Sequence, residues 1–320
     1  MVMDLYEAAL QAYQRISSHI VKTPVELSGF LSGQLKAEIY LKNEHVQHTG
    51  SFKLRGACNK ILSLSEARRK AGVLAASTGN HGLAVAYASQ KFGVRAKVIA
   101  PAKASPRKLG AIRAMGVEVE TVAGDCLAAE MAAKEMAKQQ GRVFISPYND
   151  LEVVAGQGTI GIELNEQLPG LDAVFVVVGG GGMISGIGAV MKRLNDKIRV
   201  TGCWPENSRV MYECLKAGKI IDVPESDTIS DATTGGLEPG SITFEFCARL
   251  IDDCVLVSEQ EIREAMKIIA REESWIIEGA AGVAVAAVIK QKDKLQGKKV
   301  AIILCGRNID FEKYKNVICP

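Results

Sequence analysis

The chain has 320 residues, of which 48% are hydrophobic and 23% charged, with a net charge of +3. That balance describes a globular protein long enough for one large or two modest domains, and it lacks the basic stripe that nucleic acid binding requires. The N-terminus is acidic where a secretion signal starts basic, and the apolar run 173–190 is broken by six glycines, so neither a signal nor a membrane span is expected. The eight cysteines form no CxxC pair, which reads as reduced thiols and a cytoplasmic protein.

From residue 71 onward, short β runs alternate with helical segments. Strands are predicted at 72–77, 95–100, 117–122 and 143–146, with helical stretches of about a dozen residues between them. The rhythm returns at 173–178, 199–204, 253–258 and 298–305. A capping box, Ser258 to Glu261, opens the helix after the third of these. Several runs are apolar without alternation, as parallel strands covered on both faces should be. The fold class is therefore α/β with parallel-rich sheets flanked by helices. A break near Pro147 predicts a small α/β domain, 72–149, inserted into a larger one, 1–71 and 150–320. Ligands in such folds lie beyond the carboxyl ends of the strands, here in an interdomain cleft.

Three loops sit at such ends. Gly179, Gly180, Gly181, Gly182 and Met183 follow a strand and lead into a helix, offering unobstructed N–H groups to a phosphate. A flexible strand-to-helix turn would look the same. The Walker signature GK[ST] is absent, and no register supplies GxGxxG, which disfavours a nicotinamide dehydrogenase. The second loop, Ser77, Thr78, Gly79, Asn80 and His81, could hold a carboxylate at a helix N-terminus or simply cap the helix. The third is Cys305-Gly306-Arg307-Asn308, whose cysteine reads equally as core filler. Upstream, Lys53 lies between Phe52 and Leu54 in TGSFKLRGA, where desolvation would lower an amine pKa. A lone lysine is more commonly a solvated charge.

The combination is specific. SFKLRGA, STGNHG, GQGTIGIEL (156–164), GGGGMISG and CGRN, in this order, resemble the threonine dehydratase and serine racemase family, the fold type II (tryptophan synthase β-like) pyridoxal-phosphate enzymes. The likeness runs from Thr23-Pro24 to about Asp310. It implies pyridoxal 5'-phosphate held by Lys53 as a Schiff base, with Lys53 then acting as base at Cα. It implies Phe52 against the ring, Asn80 at the 3′-oxygen, the 179–183 loop on the phosphate and Cys305 at the ring nitrogen. Ser77, Thr78, Gly79 and His81 would meet the substrate carboxylate. Glu278, in EGAAG, would lie near the ring or serve only as a helix N-terminal acid.

A neutral thiol at Cys305, with an ordinary pKa of roughly 8.5, cannot stabilise a positive ring nitrogen. The ring is then a weaker electron sink, which suits β-elimination better than transamination. The activity implied is loss of water and ammonia from a β-hydroxy amino acid, L-threonine or L-serine, by a homodimer with a small-molecule substrate. The alternatives are a racemase, a dehydratase for 3-hydroxyaspartate or a hydroxyectoine-derived substrate, and a silent cofactor-binding protein.

Three departures from the family pattern stand out. Thr78 occupies the place of the racemases' serine. Trp204, in GCWP, replaces a glutamate that relatives use for a divalent ion, so no metal is expected there. Arg307 stands where glycine is usual; it reads as a surface salt bridge or, if it faces the cleft, as a receptor for a second substrate carboxylate.

Overall fold

The computed structural model describes residues 4–77, 79–102, 104, 106–124 and 126–319. Among them the strands are β1 (Val25–Leu27), β2 (Glu38–Lys42), β3 (Val73–Ala76), β4 (Ala96–Pro101), β5 (Glu118–Val122), β6 (Val143–Phe144), β7 (Ala173–Val177), β8 (Arg199–Pro205), β9 (Asp253–Val257) and β10 (Lys299–Ile303). They form two sheets, one of six strands in the order β1-β2-β10-β7-β8-β9 and one of four in the order β5-β4-β3-β6. All neighbours are parallel except β1 and β2. The α/β, parallel-rich fold read from the sequence is the one observed.

Burial explains why these runs are strands. Every residue of β3 and β7 is buried, because helices cover both faces of each sheet. The six-stranded sheet packs into one large apolar core, from Leu31 through Val176 to Ile303. Around the four-stranded sheet, two smaller cores gather Val73, Val98 and Ile112 on one side and Leu74, Ile99 and Ala133 on the other. The capping box at Ser258 is formed, with Glu261 returning a bond to the Ser258 N–H.

Two helix crossings set where the functional loops begin. The helix Leu151–Gln167 meets the helix Lys53–Ser63 at Gly156, where a Cβ would lie 2.6 Å from the Cα of Gly56. It meets the helix Gly182–Leu194 at Gly158, whose backbone N would be 2.5 Å from a Cβ on Gly186. Backbones touch at both places, so Lys53 and the glycine loop are the first residues of two helices clamped to a common third.

Below Lys53 lies a buried ionic knot. Arg55 donates to both oxygens of Glu44 at 2.7 and 2.8 Å and to both oxygens of Glu163 at 2.7 and 2.8 Å. Lys42 Nζ reaches Glu163 at 2.6 Å and Gln167 at 2.8 Å. The side chains of Lys42, Glu44, Arg55 and Glu163 have no exposed surface. Two cations face two anions, so the group is neutral as a whole. Burial works against the Arg55 charge, but the paired carboxylates outweigh it and hold the guanidinium pKa above its usual value.

Candidate active site

A cavity of about 400 Å³ opens beyond the carboxyl ends of the strands. Its wall takes Ser77 from the loop after β3, Pro147 and Tyr148 after β6, the 179–182 glycines after β7, and Cys305 after β10. Residues of both sheets thus meet at one site, as strand-end geometry requires.

Lys53 is the first residue of its helix, and its side chain is half-buried on the cavity wall. Its Nζ donates to the carbonyl of Pro147 at 2.7 Å and lies 5.1 Å from the centre of the Phe52 ring. Burial pulls its pKa down to about 8, with nearby acidic groups resisting. A lysine in this state is a usable nucleophile and base near neutral pH.

The glycine loop is built to receive an anion. Among the described residues, none of the N–H groups of Gly179 to Met183 donates to a protein acceptor, and Met183 lies in the first turn of the helix Gly182–Leu194. Gly181 has φ of +82°, a conformation that favours glycine. Close packing leaves no room for side chains here either. A Cβ on Gly180 would fall 2.4 Å from Cγ of Tyr148, and one on Gly181 2.7 Å from Sγ of Cys247. Tyr148 is in turn fixed by its hydroxyl, which accepts from the Glu238 N–H at 3.0 Å. A row of free N–H groups at a helix N-terminus, with space in front, fits a phosphate.

Asn80, Glu278, Cys305 and Asn308 form a second cluster. Asn80 Nδ2 donates to Glu278 at 2.8 and 3.0 Å, and Asn308 Nδ2 donates to Asn80 Oδ1 at 2.6 Å. The Cys305 thiol lies 3.7 Å from Glu278 Oε1. Burial, and then the neighbouring Glu278, push the thiol pKa well above its ordinary value, so Cys305 stays neutral. Burial also raises the pKa of Glu278, which caps the helix Gly279–Lys290 by position but without a side-chain capping bond. The carboxylate reaches into the cavity wall instead.

The loop after β3 is occupied differently. Ser77 Oγ accepts from the Gly79 N–H at 3.1 Å. His81 is buried and its Nε2 lies 2.9 Å from the Ile145 carbonyl, so the ring donates there. Burial first, and Lys53 second, lower its pKa to about 3, leaving a neutral imidazole. Thr78 lies outside the described residues.

Ser77, Gly79, Asn80, His81, Phe52 and Lys53 all line the cavity with the glycines, Met183, Glu278 and Cys305. Arg307 does not. Its side chain is exposed, as the surface reading expected, which removes the cleft-facing receptor; among the described residues it forms no ion pair. The backbone explains this: Arg307 N donates to Gly50 O at 2.9 Å, and the strand bridge pairs Ser51 with Gly306, turning the side chain out past Gly50. Trp204 is buried within β8 beside Tyr212, its rings 5.8 Å apart. Sequence reasoning assigned no role to Tyr148, Asn308 or Glu130, all on the wall. Asn308 stands inside the CGRN motif, but nothing local distinguishes Tyr148 or Glu130.

Comparison with known proteins places this geometry in context. Residues 16–306 match the family described as pyridoxal-phosphate dependent enzyme. The chain is 40% identical over 316 residues to an L-threonine ammonia-lyase of Thermotoga maritima, covering 99% of this chain and 78% of that protein. It is 39% identical to the catabolic L-threonine dehydratase of Escherichia coli K12, covering 96% and 94% respectively. Among solved structures, the serine racemase of Dictyostelium discoideum superposes with a TM-score of 0.89 at 39% identity, covering 96% of this chain and 99% of that one.

Proposed function

The chain belongs to the pyridoxal-phosphate dependent enzymes, and we propose that it is an ammonia-lyase taking water and ammonia from L-threonine or L-serine to leave a 2-oxo acid. The observation that carries the reading is the pairing of a lysine with pKa near 8 and a row of unpartnered N–H groups on one cavity wall. The threonine ammonia-lyase and dehydratase relatives support the reaction class.

The cavity suits the cofactor in size and chemistry. Gly179 to Met183 would hold its phosphate, Phe52 would pack on its ring, and Asn80 and Cys305 would meet its polar edge. When bound, pyridoxal phosphate withdraws electrons from the substrate Cα and so acidifies the Cα–H. The residues of this chain do the rest. Lys53 takes the Cα proton, which its depressed pKa permits at neutral pH. Cys305, being neutral, offers no charge to the ring nitrogen, so loss of the β-hydroxyl is favoured over transamination. Glu278 orients Asn80 through the two bonds already in place. The N–H groups of Asn80 and His81, at the start of the helix Asn80–Lys91, would bind the substrate carboxylate, with the His81 side chain acting as a fixed structural ring.

We propose further that residues 72–149 form a domain distinct from 1–71 and 150–320, consistent with separate sheets; the core beside the four-stranded sheet also takes in Ile16, Leu54, Ile61 and Val153. A homodimer in the cytoplasm is the arrangement we favour; the cytoplasm, though not the dimer, is supported by unbonded cysteines at 58, 203, 214, 247, 254, 305 and 319. Among the described residues, no helix is long and apolar enough to cross a membrane.

The test is to purify the protein, record its cofactor absorbance and assay 2-oxo acid release from a panel of β-hydroxy amino acids. Chirality at Cα should be followed in the same tubes. Turnover of threonine or serine that disappears in Lys53→Ala supports the reading. Racemisation without 2-oxo acid would replace it.

A further inference from the structure

Glu130 is one of the cavity residues that the chemistry above leaves unused, Asp231 and Thr233 being others on the same wall. It comes from the helix Cys126–Gln139, which packs on the four-stranded sheet, and its half-buried side chain forms part of the cavity wall. Its charge is felt at Lys53. Oε1 is buried without a hydrogen bond, although Lys134 Nζ stands 3.3 Å away. Lys134 is not free to neutralise it, because the same ammonium also pairs with Glu238. Two carboxylates therefore share one cation, and burial raises the Glu130 pKa while Lys134 works against the rise.

We propose that Glu130 is a specificity residue that turns away substrates with a second carboxylate and admits those with a neutral β-hydroxyl. The proposal rests on the ammonia-lyase reading and sharpens its substrate class. A carboxylate only accepts hydrogen bonds, so it can take one from a substrate hydroxyl but repels another carboxylate. Lys53 is committed to the cofactor and the reacting carbon. Arg307, the residue that could have received an acidic side chain, points away from the cavity. A 3-hydroxyaspartate would thus meet repulsion where threonine presents a methyl and a hydroxyl group.

The test uses the holoenzyme and two variants, Glu130→Gln and Lys134→Met. Binding of succinate is compared with that of butyrate by calorimetry, which needs no turnover, and kcat/KM is measured for L-threonine and threo-3-hydroxyaspartate. Removing the charge in Glu130→Gln should shift both ratios toward the dicarboxylate by about tenfold or more, the scale of like charges a few ångströms apart in a partly buried site. Lys134→Met leaves Glu130 less neutralised and should shift both ratios the opposite way. Unchanged ratios in Glu130→Gln overturn the proposal. So does a shift of the same sign in both variants, which would report loosened packing rather than charge. Succinate binding undetectable in all three proteins also overturns it, since another feature would then exclude the second carboxylate. Failure to turn over any β-hydroxy amino acid, with the binding ratios shifting as stated, would sink the ammonia-lyase reading and leave the role of Glu130 standing.

Discussion

Asn80 and Glu278 are joined by a forked contact in which one amide nitrogen lies 2.8 and 3.0 Å from the two carboxylate oxygens. Each residue opens a helix, Asn80–Lys91 on one side and Gly279–Lys290 on the other, so the fork ties two helix starts across the cavity wall. Replacing Glu278 by Ala strands a buried amide and a buried thiol. The expected loss is about 1–3 kcal/mol of stability, read by urea denaturation, with weaker cofactor retention in dialysis. Glu278→Gln, which keeps an acceptor, should lose less.

Lys53 should behave as an unusually acidic ammonium in the cofactor-free protein. With a folded pKa of about 8 against an ordinary 10.5, its neutral fraction at pH 8 is more than about a hundredfold higher than that of a surface lysine. Labelling by an amine-directed reagent, followed by mass spectrometry across pH, should show a midpoint near 8 at this residue. The linked stability has a defined sign. A depressed lysine pKa contributes fully above the unfolded value and is lost as pH falls through the folded one, so stability should climb between pH 8 and 10.5. Lys53→Met should abolish that part of the slope.

Gly180→Ala drives a methyl group into the Tyr148 ring. The expected cost is about 1–3 kcal/mol, together with reduced affinity for the cofactor phosphate. Tyr148→Ala in the same chain should restore part of the loss. Additive effects in that double-mutant cycle would show the contact to be unimportant.

Arg55→Met should be among the most damaging single changes outside the cavity. It leaves Glu44 and Glu163 buried with Lys42 as their remaining cation, and breaking such a network costs about 3–5 kcal/mol. Arg55 lies two residues from Lys53 on the same helix, so any folded fraction should also show a shifted Lys53 labelling midpoint.

Arg307→Ala should change little. An exposed side chain without an ion pair among the described residues contributes within about 0.5 kcal/mol, and the substrate preference should match that of the parent protein.

The alternation of apolar runs and helices from residue 72 onward was readable because strands covered on both faces cannot hide their hydrophobicity. The first two strands were not. β1 has three residues, two of them exposed, and β2 ends in Lys42, a charge with no exposed surface. What makes Lys42 acceptable is Glu163, contributed by a helix more than a hundred positions later, and no local window contains that pairing. The site divides the same way. Lys53, Asn80 and the glycine loop were singled out because their motifs occur together, and all of them line the one cavity described. Arg307 is on the surface, as its preferred reading had it, but motif and residue type left a cleft-facing role open because its direction is set by the bridge between Ser51 and Gly306. Glu130, in a run of alanines and lysines, reads like any solvated helix face.

The neutrality of Cys305 reaches beyond the cofactor. Peroxides, disulfides and alkylating agents react with thiolates, and a thiol whose ionisation is suppressed by burial and by Glu278 presents almost none. Sulfur can therefore sit at the bottom of this cavity without making the enzyme a sensor of oxidants: its catalytic output should persist unchanged under oxidative stress that would silence a cysteine with an ordinary pKa in the same place.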